Sequence, residues 1–347
     1  SALLTGLTTA NKITGFESIE VTDALAATLT VATVQAGSTV KLAAGSNAGT
    51  VTFEAGSKTL NLGTVNTGTL TVNDTGLATN DSLTINAKAA TNSFGATSSS
   101  GLDTVVNGFE TVTINTGTTV GQTINALTVT GDPASTGVQT AATLVLTGAG
   151  GLTMVNTTGN HDAVITLGAV GGAGVINASA LTGGFVMVEA SQGVTSIAGG
   201  AGNDTLLAND SKNTISGGDG NDAITGGTGN DVITGDGGKD TITGSAGNDN
   251  ISGGDGNDTF SYTTALLTAT TTIDGGSGTD NITITGTLTA TADTAFTKVT
   301  NVETLTSAAT GLSVTLGAKA AAAGVSTITF AGTNASAGVG DLLTVGS

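Results

Sequence analysis

From Gly199 to Ser261 the chain runs through seven consecutive nine-residue units, each with a glycine-rich front, a polar (mostly acidic) sixth position and an apolar eighth. The cleanest are GGAGNDTLL (199–207), GGDGNDAIT (217–225), GGTGNDVIT (226–234) and GGDGNDTFS (253–261). GDGGKDTIT (235–243) and GSAGNDNIS (244–252) are close variants, and ANDSKNTIS (208–216) keeps the register without its glycines. An eighth unit, GGSGTDNIT (275–283), follows an insertion at 262–274. Units this short are single turns that cannot bury an apolar face alone, so they must stack into a continuous coil. A disordered acidic linker is the competing reading, but a linker has no reason to place an aliphatic residue at every ninth position.

Within each unit six residues make a tight turn and three make a short strand. Glycine suits turn positions that need φ > 0 or close backbone approach. Parallel strands put successive turns on alternate sides of a flattened coil, so turns eighteen residues apart stack. One side then carries Asp204, Asp222, Asp240 and Asp258; the other carries Asn213, Asp231 and Asp249. The apolar eighth positions Leu206, Ile215, Ile224, Ile233, Ile242, Ile251, Phe260 and Ile282 form an internal ladder. Stacked carboxylates repel unless a cation lies between them. Ca²⁺ takes 6–8 oxygen ligands, and turn carbonyls can complete the set. The spacing predicts Ca²⁺ sites between Asp204 and Asp222, Asp222 and Asp240, Asp240 and Asp258, and Asp231 and Asp249, in turns opened by Gly199, Gly217, Gly226, Gly235 and Gly253. A site between Asn213 and Asp231 should be weaker, because an amide brings no charge. Asp280 has the right position in its unit, but the insertion obscures its partner, so its loss should matter less than that of Asp222 or Asp240. Asp210, Asp219 and Asp255 at third positions add carbonyls or negative field.

Charge supports coupling of metal to folding. The net charge is −18, with no Arg and 26 acids, twelve of them Asp between 199 and 283, where only Lys212 and Lys239 oppose them. Such a segment repels itself until cations bind. Calcium is scarce in the cytosol and abundant outside cells, which suits an exported chain. The absence of Cys fits an exported bacterial protein stapled by metal instead of disulfides. The acidity argues against nucleic acid as a partner. No apolar run of 18 or more residues exists to span a membrane. With no visible signal peptide and abrupt ends, the chain reads as a fragment of a longer protein.

Outside the array, short x-Φ-x-Φ strands recur about every ten residues: TVKL (39–42), TVTF (50–53), TLNL (59–62), TLTV (69–72), SLTI (82–85), TVTI (111–114), ALTV (126–129), TLVL (143–146) and VITL (164–167). ITIT (282–285), SVTL (313–316), TITF (327–330) and LLTV (342–345) follow the array. Alternation puts Val, Leu and Ile inside and Thr outside. The expected fold is all-β: a parallel β-roll or β-solenoid with irregular β-rich rungs on both sides of the array. A sandwich of antiparallel hairpins is the alternative. The expected division is 1–107, 108–198, the array at 199–283 and a C-terminal segment 284–347. AKAAAAG (318–324) is the best helix candidate. A longer repeat links Gly15-Phe16-Glu17-Ser18-Ile19, Gly108-Phe109-Glu110-Thr111-Val112 and Asn301-Val302-Glu303-Thr304-Leu305, with Gly183-Gly184-Phe185-Val186 as a decayed copy. Its Phe reads as a core plug and its Glu as a turn-capping group. Degenerate calcium turns are candidates at Asn80-Asp81, Asp103 and Gly340-Asp341.

Nothing points to catalysis. There is no HExxH and no GxSxG, and the single His161 lies in GNHDAV, where it reads as a turn residue. One histidine does not make the usual zinc set. Without Cys, nucleophile–base pairs are nearly excluded. With 3% aromatic residues and no Arg, a carbohydrate-cleaving cleft lacks its platforms.

The GGxGxDxΦx array resembles the RTX (repeats-in-toxin) proteins, which implies calcium-loaded parallel β-rolls and type I secretion. The array covers about a quarter of the chain, and such arrays occur on proteases, lipases, toxins, adhesins and surface-layer proteins. A Thr/Ala/Gly/Val-rich, Cys-free acidic chain with G-[FV]-E-[ST]-Φ segments looks most like the RTX-type bacterial surface-layer proteins. That likeness implies a homo-oligomer in a planar lattice on the cell surface, bound to a cell-surface polysaccharide through a region outside this chain. The alternative is an RTX adhesin or an RTX module of another exoprotein.

Overall fold

The computed structural model describes residues 194–263, 266–285, 293–307 and 313–330 continuously, and elsewhere the strands given below with a few flanking residues. The chain divides into two compact units, Ser1–Ala201 and Gly202–Ser347.

In the first unit the strands pair only in parallel among the described residues. One sheet takes Ala2–Leu4, Ser18–Val21, Ser38–Leu42, Lys58–Leu62, Ser82–Asn86, Thr111–Asn115, Thr143–Gly148, Gly174–Leu181 and Val194–Ala198 in that order. A second takes Asn11–Ile13, Thr28–Val31, Thr50–Phe53, Leu70–Asp74, Asp103–Asn107, Ala126–Thr130 and Ile165–Gly168. The chain alternates between the two, and from Gln122–Ile124 onward each rung also visits a third sheet, continued by Leu152–Met154 and Phe185–Met187. This is a solenoid, and the antiparallel sandwich is excluded: Val40 pairs with Leu60, Leu60 with Ile85 and Ile85 with Ile114, all parallel. The steps between paired inward residues differ in length, that from Ile85 to Ile114 being longer than those from Val40 to Leu60 and from Ile176 to Ile197.

Alternation does what the sequence pattern implies. Val40, Leu42, Val51, Phe53, Leu60, Leu83, Ile85, Val112 and Ile114 are fully buried, while Thr and Asn alternate with them outward. Asn86 Nδ2 donates to Asn61 Oδ1 at 2.8 Å and Asn107 Nδ2 to Asn73 Oδ1 at 2.9 Å. Such ladders stack identical groups along neighbouring rungs and suit flat parallel sheets. Phe109 is the expected plug: it is fully buried, and its ring meets Phe53 edge-on at 6.4 Å between centroids. Gly108 beside it has φ 84, and a Cβ there would come 2.7 Å from the Asp74 carbonyl, so only glycine turns this corner. Phe16, Glu17 and Glu110 lie outside the described residues, as do His161 and Asp341.

The second unit contains most of the nonapeptide roll. One of its sheets takes Thr214–Asp219, Val232–Gly237, Asn250–Asp255, Thr272–Ser277 and Val299–Thr300. The facing sheet takes Thr205–Leu207, Ala223–Thr225, Thr241–Thr243, Thr259–Thr263, Asn281–Thr285, Thr304–Ser307 and Thr327–Phe330. Leu206 pairs with Ile224, Ile224 with Ile242 and Ile242 with Phe260. Ile215 pairs with Ile233 and Ile233 with Ile251. These eighth-position side chains are all buried, so the predicted ladder is in place. The short helix falls where expected, at Ala318–Ala322. Asp293, distant in sequence, caps it by accepting from the Gly317 and Ala320 N–H groups at 2.8 and 3.0 Å. Among the described residues no helix is long and apolar enough to cross a membrane.

Two variants test this packing. Ile233→Asp buries a carboxylate inside the ladder and should cost at least about 3 kcal/mol. Circular dichroism at saturating calcium should then show loss of the roll's β signal; a normal spectrum and melting point would contradict the ladder. Asp236 has φ 74 in a column where its register partners are Gly218 and Gly254. Asp236→Gly should relieve about 1 kcal/mol of left-handed strain and raise the melting temperature by about 2–4 °C.

Candidate metal centre

The position-six residues form the two columns that the spacing requires. Along one, the Asp204 N–H donates to Asp222 Oδ1, Asp222 N–H to Asp240 Oδ1 and Asp240 N–H to Asp258 Oδ1, each at 2.8 Å. Along the other, the Asn213 N–H donates to Asp231 Oδ1 at 2.8 Å and Asp231 N–H to Asp249 Oδ1 at 3.0 Å. One oxygen of each acceptor carboxylate is thus tied to the preceding rung. The other, Oδ2 of Asp222, Asp231, Asp240, Asp249 and Asp258, is buried without a hydrogen-bond partner. A buried, unpaired carboxylate oxygen is costly.

The glycine at position one shows where these oxygens point. A Cβ on Gly217 would lie 2.3 Å from Asp222 Oδ2 and 2.6 Å from the Gly235 carbonyl oxygen. On Gly235 it would meet Asp240 Oδ2 at 2.3 Å and the Gly253 carbonyl at 2.4 Å; on Gly253, Asp258 Oδ2 at 2.3 Å and the Gly275 carbonyl at 2.4 Å. Gly226 repeats the approach with Asp231 Oδ2 at 2.6 Å. Gly199 is buried just after the strand Val194–Ala198. Each of the Gly217, Gly235 and Gly253 slots thus gathers an unpartnered carboxylate oxygen and a main-chain carbonyl of the next rung, and any side chain at position one would fill it. The donors are hard oxygens, the set that suits Ca²⁺. No three acidic, His or Cys side chains converge among the described residues, so an ion here would lean on carbonyls beside its carboxylates.

The insertion resolves into a decayed unit. Ile251 pairs with Ile273 and Asn250 with Thr272, which puts Thr271 in the sixth-position place below Asp249. Thr271 is buried. Asp280 therefore returns to the first column: the Asp258 N–H donates to Asp280 Oδ1 at 2.8 Å. The insertion therefore does not obscure the partner of Asp280, which stacks on Asp258.

Two turns of the second column differ in their surroundings. Asn213 Nδ2 donates to the carbonyl of Asn209, at 3.0 Å, and to that of Ser211, while its Oδ1 is buried without a hydrogen-bond partner like the Oδ2 atoms of the acids. Beside Gly244, a Cβ would meet the Tyr262 ring at 2.0 Å. Tyr262 is buried, and burial, then the Asp249 charge, push its phenol well above the usual range.

Sequence reasoning missed the fifth positions. Asn203 Oδ1 accepts from the Asn221 N–H at 2.9 Å and Asn221 Oδ1 from the Lys239 N–H at 2.7 Å. Asn230 and Asn257 do the same for Asn248 and Thr279, both at 2.8 Å. The signal was present as the recurrent Asn-Asp pair. The third-position acids act in turns: Asp210 Oδ1 accepts from the Thr228 N–H and Asp255 Oδ1 from the Ser277 hydroxyl.

Burial dominates the titration of these columns. It pushes Asp222 up to about 7, helped by the charges of Asp204, Asp240 and Asp236 and opposed by the Asp204 N–H. It pushes Asp231 up to about 6, with Asp249 adding to it. Asp240, Asp249, Asp258 and Asp280 are also raised by burial. A carboxyl raised in the folded state stabilises the metal-free fold below its unfolded pKa, and that contribution is lost as pH rises through the folded value. The metal-free roll should therefore gain β signal on acidification from pH 8 to 5, and the calcium midpoint should weaken as pH falls below about 7. Circular dichroism with and without calcium across that range checks both; a pH-independent midpoint would contradict buried ligands.

The family model of the RTX calcium-binding nonapeptide repeat (4 copies) matches residues 190–224, 198–233 and 225–260. No curated protein and no solved structure matches the chain. The matched stretches end before the unit at 275–283 and cover the sixth positions from Asp204 through Asp258. The chain carries an RTX calcium-binding nonapeptide array within residues 190–260.

Proposed function

We propose that this chain is a non-catalytic structural module of a bacterial surface layer, folded by several calcium ions outside the cell and assembling with copies of itself into a planar lattice. Its calcium ligands are Asp204, Asp222, Asp231, Asp240, Asp249, Asp258 and Asp280, with turn carbonyls at the position-one glycines and a weak contribution at Asn213. The observation that carries the reading is the row of buried, unpartnered Oδ2 atoms. They make a rigid fold conditional on a divalent cation, and RTX-type proteins are typically secreted into surroundings where calcium is abundant.

Two features support scaffolding over recognition or catalysis. The rungs within each unit repeat one outward pattern of Thr and Asn over an aliphatic interior, so a surface that fits one copy offers the same groups again along the stack. The chain also has no Cys, no Arg and a single His, which leaves little from which to build a nucleophile or an anion-binding cleft. Anchoring to a cell-surface polysaccharide would then fall to a region outside this chain.

Calcium titration of the purified chain, followed by circular dichroism and negative-stain electron microscopy on the same samples, tests the proposal. The expected outcome is a coil-to-β transition accompanied by ordered sheets. A transition with particles that remain monomeric would favour an RTX adhesin or another exoprotein module. No transition would overturn the calcium-folding mechanism itself.

A further inference from the structure

We propose that Asp280, the Asn301 carbonyl and Glu303 form one more divalent-cation site, beyond the matched array, that clamps the segment 293–330 to the roll. The inference rests on the calcium reading of the array.

Glu303 belongs to Asn301-Val302-Glu303, which has no nonapeptide pattern. Asn281 nevertheless pairs with Thr304, so Glu303 stands where the next sixth-position acid would be. The Asp280 N–H donates to Glu303 Oε2 at 2.8 Å, the same bond that links each Asp of the column to the next. Glu303 is thus more than a turn cap: it ends the acidic column.

The slot above it repeats the others. Asp280 is fully buried, and its Oδ2 has no hydrogen-bond partner. A Cβ on Gly275 would lie 2.6 Å from that oxygen and 1.8 Å from the Asn301 carbonyl oxygen. In the array the corresponding carbonyl comes from a position-one glycine; here Asn301 supplies it with φ 53, a left-handed conformation that Asn tolerates. The Asn301 side chain is held by donation to Asp274 Oδ1 at 2.7 Å. The slot gathers one unpartnered carboxylate oxygen and one carbonyl, and the second carboxylate, Glu303, is joined to Asp280 through the Asp280 N–H, a hard-oxygen set of the kind calcium takes.

The position gives the ion a distinct task. The Val302 N–H donates to the Ala323 carbonyl at 3.0 Å, and the Glu303 carbonyl accepts from the Ser326 and Thr327 N–H groups at 2.9 and 3.0 Å. A cation between Asp280 and Glu303 would fix the turn to which the helix Ala318–Ala322 and the strand Thr327–Phe330 are tied.

Equilibrium dialysis with Ca²⁺ on the full chain, together with limited proteolysis at saturating calcium, tests this. Glu303→Gln keeps an acceptor for the Asp280 N–H, so the roll should still fold. It should bind one ion fewer per chain than the unmodified protein, leave the other affinities within about twofold, and expose 293–330 to cleavage about tenfold faster. Glu303→Asp, which keeps the charge, should retain the ion with weaker affinity. If the unmodified chain binds several ions and Glu303→Gln binds as many, the clamp is overturned while the array reading stands. If Glu303→Gln loses more than one ion, the site is not local and the clamp is again overturned. If the unmodified chain binds none, both fall.

Discussion

The roll depends on how one carboxylate divides its two oxygens. Oδ1 of Asp222, Asp231, Asp240, Asp249, Asp258 and Asp280 accepts the N–H of the residue one rung away, as Asp222 does from Asp204, which fixes stacking to register. Oδ2 of the same six residues is buried with no protein donor. The hydrogen bond positions the acid, and the unmet oxygen demands a cation. With neighbouring acids stacked in a column, leaving every slot empty would accumulate buried negative charge along the axis of the fold. Protonation is the only relief within the protein, and the upward shift of Asp222 to about 7 expresses that strain. A divalent ion relieves it without giving up the charge.

Glycine at position one follows from the same slot. Gly217, Gly235 and Gly253 are not there merely to turn the chain. A side chain on any of them would collide with an Oδ2 and with the carbonyl of the next rung. The exceptions show which part of the rule is negotiable. Position two tolerates Asp236 at φ 74, because strain there is local. In the second column the Asn213 amide donates to the Asn209 carbonyl and the Tyr262 ring packs beside Gly244, so these two turns differ from those of the first column. The first column keeps its acids through Asp280 and Glu303.

The parts of the fold legible in the sequence were those enforced by a short period. Eighteen residues separate stacked turns, so the pairing of Leu206 with Ile224 and of Ile215 with Ile233 could be read before any coordinates. The insertion could not, because Thr271 at its sixth position is neither acidic nor preceded by glycines; only the pairing of Ile251 with Ile273 shows that a rung survives there. Glu303 was hidden for a related reason. Its segment keeps the place of the acid and loses the turn, and a sequence pattern records the turn. In the first unit the strands were visible as Thr-Φ-Thr-Φ alternation, but rungs that grow from the step between Val40 and Leu60 to the longer step between Ile85 and Ile114 carry no fixed period from which to read register.

The contrast between the two units follows from what holds each rung to the next. In the first, rungs are joined by backbone pairing, a buried aliphatic column and Asn ladders such as Asn61 with Asn86. None of these depends on loop length, so the rungs differ in length while the inward column keeps its alignment. In the array, each turn must deliver an oxygen to a point fixed by its neighbour. One residue more or less would move the carbonyl of Gly235 away from Asp222, and the slot would lose its shape. A coordination site therefore fixes the length of its turn where a hydrophobic core fixes only pattern. The four additional residues between Phe260 and Ile273 fall on the one half-rung whose sixth position has become Thr271, so relaxed length and the loss of the acid occur together.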